Sequence, residues 1–152
     1  INVFKLKMIL NFLKKTKSST DDNKNNDLIK IIALLIHAAK IDENYSEVEK
    51  KIIFNFAMNF EKKPKEEVLD IIKKSEEHER SSNQILDYTR SVKKMDLKLK
   101  TLVIETLWKI ILSDNKSGQY ENNLMRRICG LLYLPDKLSG EIKLNILKEK
   151  KL

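Results

Sequence analysis

From Leu28 to Lys40 nearly every position is apolar, and only Lys30 and His37 interrupt the run. Those two lie seven residues apart and so share one face of a helix. The next apolar set, Ile52, Ile53, Phe56, Ala57 and Phe60, keeps the three-and-four spacing of an amphipathic helix. Its start is marked by Ser46-Glu47-Val48-Glu49, a capping box in which the Ser46 hydroxyl serves the amide of Glu49 and Glu49 reaches back to the amide of Ser46. Between the two helices lies the loop Ile41-Asp42-Glu43-Asn44-Tyr45.

The same alternation continues. Pro64 suits the first turn of a third helix whose Val68, Leu69, Ile71 and Ile72 face inward, before the charged run Glu76-Glu77-His78-Glu79-Arg80. Ser81, Ser82 or Asn83 can cap a fourth helix carrying Ile85, Leu86, Tyr88 and Val92. Asp96 opens a fifth through Leu97, Leu99, Leu102, Val103, Leu107, Ile110 and Ile111, and a sixth runs from about Gln119 to Leu134. Pro135-Asp136 breaks the chain before a last helix, about Leu138 to Lys148. The pattern predicts an all-α fold of about seven helices in a single bundle over residues 27–152. Ahead of it, residues 1–15 read as an amphipathic N-terminal helix, with Met8, Ile9, Leu10, Phe12 and Leu13 on one arc and Asn11, Lys14 and Lys15 opposite. Residues 16–26 read as a polar linker. The chain opens on Ile1, which makes Met8 a candidate start.

Composition supports helix over sheet. The 152 residues hold three Gly and two Pro, too few breakers for the many turns of an all-β fold. The single cysteine, Cys129, excludes an internal disulfide and suggests a reducing compartment; it sits at a core position. No run reaches the roughly 18 apolar residues of a membrane span, and no cleavage signal follows the first apolar patch, so a cytoplasmic location is expected. The net charge of +8 points to nucleic acid only at first sight. Five lysines and no acid fall within residues 1–20, which leaves +3 for the rest, and only four arginines occur. Elsewhere lysine alternates with glutamate at helical spacing, as expected of a solvated face.

A shift of 72 residues superimposes two segments. Asp42 falls on Asp114 and Glu49 on Glu121; Ile52, Ile53, Phe56, Ala57 and Phe60 fall on Leu124, Met125, Ile128, Cys129 and Leu132. Leu35, Ile36 and His37 match Leu107, Trp108 and Lys109, with His37 and Lys109 both expected outside. The duplicated unit is a helix, an acidic loop and a helix. In this respect the chain resembles the TerB-like proteins associated with tellurite resistance, over roughly residues 28–147. The likeness rests on Ala38-Ala39-Lys40-Ile41-Asp42 with Ser46-Glu47-Val48-Glu49, on Leu112-Ser113-Asp114 with Tyr120-Glu121, and on the stretch Glu121 to Leu134. Glu43 and Asn115 stand where that family usually has glycine after the Asp, and Gly118 stands where the first copy has Ser46. Asn enters the left-handed conformation at modest cost, Glu less readily.

Two readings of the acidic positions stay open. Asp42, Glu43, Asn44 and Glu49, with Asp114 and Glu121, serve as helix caps; or, as the resemblance implies, they hold a divalent cation such as Ca²⁺, Mg²⁺ or Mn²⁺. An EF-hand is excluded, because the twelfth positions are Ile53 and Met125 where a bidentate Glu is needed. No Ser/His/Asp set, phosphate-binding glycine loop or cysteine pair occurs, so no enzyme is expected. His37 and His78 are isolated, and Trp108, Tyr120 and Tyr133 read as core or core-edge aromatics. The function this supports is a non-catalytic TerB-like interaction module in a stress or tellurite-resistance-type response, with a protein partner. Met8, Phe12, Lys14 and Lys15 are the candidate contacts to a partner groove or to the anionic inner face of the membrane. The alternative is a regulatory domain akin to the helical N-terminal part of membrane-anchored DnaJ-like co-chaperones.

Overall fold

The computed structural model describes residues 24–41, 43–82, 85–114 and 118–150. Seven α-helices and no strand occur among them. α1 covers residues 24–39, α2 Glu47–Phe60, α3 Lys65–Ser81, α4 Ile85–Lys93, α5 Leu97–Ile111, α6 Gln119–Leu131 and α7 Asp136–Lys150. A 3₁₀ turn, Leu112–Asp114, ends α5. No described helix is long and apolar enough to cross a membrane.

Two helices form the centre. In α1 every residue from Ile31 to Ile36 is fully buried, so this helix has no solvent face along almost two turns. α5 buries Val103, Ile104, Thr106, Leu107, Trp108, Ile110 and Ile111. It packs against α2, α4, α6 and α7, while α2 also packs against α3. The outer helices are one-sided. Their inward positions, such as Ile53, Phe56 and Ala57 on α2 and Met125, Ile128 and Cys129 on α6, are those the repeat places in register. The duplication runs further than the sequence suggested: Lys65, the first residue of α3, falls on Lys137, one residue into α7. Each copy is therefore three helices long, and α4 joins them.

Buried polar groups find partners inside the bundle. The Trp108 indole N–H donates to Ser139 Oγ at 2.9 Å and ties α5 to α7. Ser75, Thr89 and Thr106 return their hydroxyl protons to the carbonyls of Ile71, Ile85 and Leu102 on the preceding turn.

Several boundaries and faces differ from expectation. α1 is already helical at Lys24, inside the stretch read as linker, and the Asn25 side-chain oxygen accepts from Lys63 Nζ. α6 stops at Leu131, three residues early. Tyr133 there enters the left-handed region (φ 58°), and the amides of Tyr133 and Leu134 donate to the carbonyls of Gly130 and Cys129, closing a Schellman motif. Tyr133 (75% exposed) and Tyr120 (83%) are consequently surface residues, not core aromatics, unlike Trp108. Leu69, Leu86, Leu97 and Leu102 are also exposed; apolar identity alone did not mark an inward face.

Candidate functional site

The first acidic loop leads into α2 through a complete capping box. Ser46 has extended backbone, and its hydroxyl accepts from the Glu49 amide at 3.2 Å. Glu49 Oε1 accepts from the Ser46 amide at 3.0 Å and from the Ser46 hydroxyl at 2.8 Å. The Glu49 carboxylate is buried, so both contacts are shielded from water. In the second copy Gly118 has no side chain to offer, and only half the device survives: the Gly118 amide donates to Glu121 Oε2.

Glu43 sits between α1 and this cap with φ 61°, the left-handed conformation for which a glycine is better suited. It and Asn44 are exposed. Asp42, Asn115 and the side chain of Asp114 lie outside the described residues, as do Met8, Phe12, Lys14 and Lys15. Glu49 Oε1 is already taken by two donors, and no three His, Cys, Asp or Glu side chains among the described residues come together as a metal-holding group. The geometry of Glu49 and Glu121 is that of helix starts.

Tyr45, at the end of the loop, has a hydroxyl cut off from solvent and facing the Glu76 carboxylate. Burial pushes its phenol well above the ordinary tyrosine range, and the carboxylates of Glu76, Glu49 and Glu47 add to the effect. This end of α2 and α3 is thus locally negative. Beside it runs a furrow of about 490 Å³ between the two helices. One wall is Glu47, Lys50, Lys51 and Phe54, the other Leu69, Ile72 and Glu76. Each wall spans seven residue steps, or two helical turns. Lys50 pairs with Glu47 at 3.3 Å and lies 5.0 Å above the Tyr45 ring, so its charge is already engaged.

The repeat does not preserve the residues of this furrow, although a cavity of about 350 Å³ between α6 and α7 is lined by Asn122 and Arg126, the counterparts of Lys50 and Phe54. At the 72-residue offset Phe54 becomes Arg126, Leu69 becomes Glu141 and Glu76 becomes Lys148. The core register is kept, while Phe54 and Leu69 give way to charged residues and Glu47, Lys50 and Lys51 to the uncharged Gln119, Asn122 and Asn123.

A second cluster escaped sequence reasoning. Glu79, within a run that reads as solvated, is only 6% exposed on α3. Its carboxylate takes the Lys40 ammonium at 2.8 Å and stands 3.5 Å from His37 Nδ1. The rings of His37 and His78 both pack against Tyr88, at centroid distances of 6.2 and 5.8 Å. His37 is therefore half-buried and not exposed as the repeat suggested, whereas Lys109 does face solvent. The only sequence signal was His37 and Lys40 on one stripe of α1, without any sign of which acid met them. Cys129 is fully buried, and burial pushes its thiol up, away from the reactive thiolate.

Among known families, the model for tellurite resistance protein TerB matches residues 28–144, which take in all but the first turn of α1 and the last six residues of α7. No curated protein and no solved structure matches the chain.

Proposed function

The chain belongs to the TerB family, described as tellurite resistance proteins, and from that premise we propose that it is a non-catalytic docking module in a tellurite-resistance-type stress response. The observation that carries this reading is the furrow between α2 and α3. Its occupant is an amphipathic helix of a partner protein, bearing apolar residues at i, i+3 or i+4, and i+7, with lysine or arginine at one end. Phe54, Leu69 and Ile72 receive the apolar stripe. The Glu76 carboxylate, beside Tyr45, receives the basic end. Exchange of Phe54, Leu69 and Glu76 for Arg126, Glu141 and Lys148 in the second copy, with its core register intact, supports a use beyond packing.

The test places a photo-crosslinking residue at Leu69 in the native cell and compares tellurite tolerance of cells carrying Leu69→Glu. Leu69 is half exposed, so the change leaves the core alone. We expect one discrete crosslinked partner whose crosslinked segment is an amphipathic helix with a basic end, and reduced tolerance in Leu69→Glu. Crosslinking only to residues 8–15 of the chain itself, or unchanged tolerance with no crosslink, overturns the reading.

A further inference from the structure

We infer that a cavity between the C-terminal end of α1, the start of α4 and the outer face of α6 binds a small organic carboxylate with an apolar body. The cavity has a volume of about 300 Å³, at the small end of ligand pockets. Ile41, Ile85 and Leu124 supply the apolar surface, one from each neighbouring element, so the wall is built by the fold and not by a single helix. Three polar side chains line it, half-buried His37 and the exposed Asn123 and Arg127. Exposed Tyr120 stands at the mouth.

The charge arrangement selects the ligand class. Arg127 offers a planar fork of donors suited to a carboxylate, and no described carboxylate lies within ion-pair distance of it. Asn123 adds a side-chain amide. Glu79, behind His37, would repel an anion if bare, but Lys40 at 2.8 Å already matches its charge. The same salt bridge holds α1 to α3 and fixes the ring of His37 against Tyr88. A cation gains nothing here that Arg127 does not oppose, and an uncharged apolar molecule leaves the guanidinium unused. The site is not repeated in the other copy, since Asn55 stands at the offset of Arg127 and Lys109, at the offset of His37, pairs with Glu105 on its own helix.

The experiment is a ¹H–¹⁵N titration of the full chain with hexanoate, with 1-hexanol as the uncharged counterpart. Saturable shifts are expected at the amides of Ile41, Ile85, Asn123 and Leu124. Arg127→Gln should weaken hexanoate by at least about ten-fold, whereas Arg126→Gln, on the neighbouring residue that faces the α5–α7 side, should leave it unchanged. 1-Hexanol should bind the parent protein at least about ten-fold more weakly than hexanoate. The inference is overturned by any of three results: no saturation below about 50 mM hexanoate, equal affinity in Arg127→Gln, or hexanol binding as well as hexanoate.

Discussion

Lys40, just past the end of α1, and Glu79 on α3 form a salt bridge of 2.8 Å in which the carboxylate side chain is only 8% exposed and the lysine 32%. Removing the cation strands a nearly buried charge, while removing both charges does not. Lys40→Met should cost about 1–3 kcal/mol, less than a fully buried pair because part of Lys40 remains in water. Glu79→Gln should cost less, and the double variant should recover part of the Lys40→Met loss. Urea unfolding of the three variants checks the order; a double variant as costly as the sum of the two singles would show that the pair does not act as one unit.

The two caps give an internal comparison. Ser46→Ala should destabilise by about 1 kcal/mol, and Gly118→Ser should stabilise by a few tenths, about 0.3 kcal/mol, by completing the box over Glu121. A Cβ on Gly118 would meet Glu121 Oε2 at an ordinary 3.5 Å, so the substitution has room. Thermal unfolding with and without millimolar Ca²⁺, Mg²⁺ or Mn²⁺ should give the same differences. A rise in Tm with one of these ions that disappears in Asp42→Asn would assign the first loop to a cation instead.

Glu43 holds a left-handed backbone (φ 61°) at an exposed position. Glu43→Gly should therefore raise stability by about 0.5–1 kcal/mol, since the relief of strain exceeds the added freedom of the unfolded chain. Calorimetry should show a higher Tm; a lower one would mean that the Glu43 side chain makes a contact worth more than the strain.

Tyr45 predicts an alkaline weakness. Its folded pKa is raised, so the folded state keeps the phenol proton after the unfolded chain, near the ordinary value of about 10, has begun to lose it. Stability from this group is whole below about pH 10 and falls as pH rises beyond. Tyr45→Phe should flatten that fall and cost about 1 kcal/mol at neutral pH, where the buried phenol faces the Glu76 carboxylate. Melting curves of both proteins from pH 8 upward measure it.

Much of this was legible in the chain. Ser46 and Glu49 announce the cap because it uses only neighbours three residues apart, and Ile53, Phe56 and Met125 announce their faces because helical periodicity is local. Glu79 was not legible. Its burial depends on α3 crossing α1 thirty-nine residues away, and its neighbours Glu76, Glu77 and Arg80 carry the same chemistry into solvent. Tyr133 was misread for a related reason: the left-handed turn at φ 58° that swings it outward is set by the closing bonds from Tyr133 and Leu134 and by no glycine. The furrow lay between, its residues visible as apolar but its walls defined only once α2 and α3 lie side by side.

The fully buried stretch from Ile31 to Ile36 ties the two copies together. Three helices alone leave such a stretch partly bare, so the first copy does not enclose its own core. Severed between Ser82 and Ile85, the chain should give two fragments that are unstable alone and reassemble when mixed.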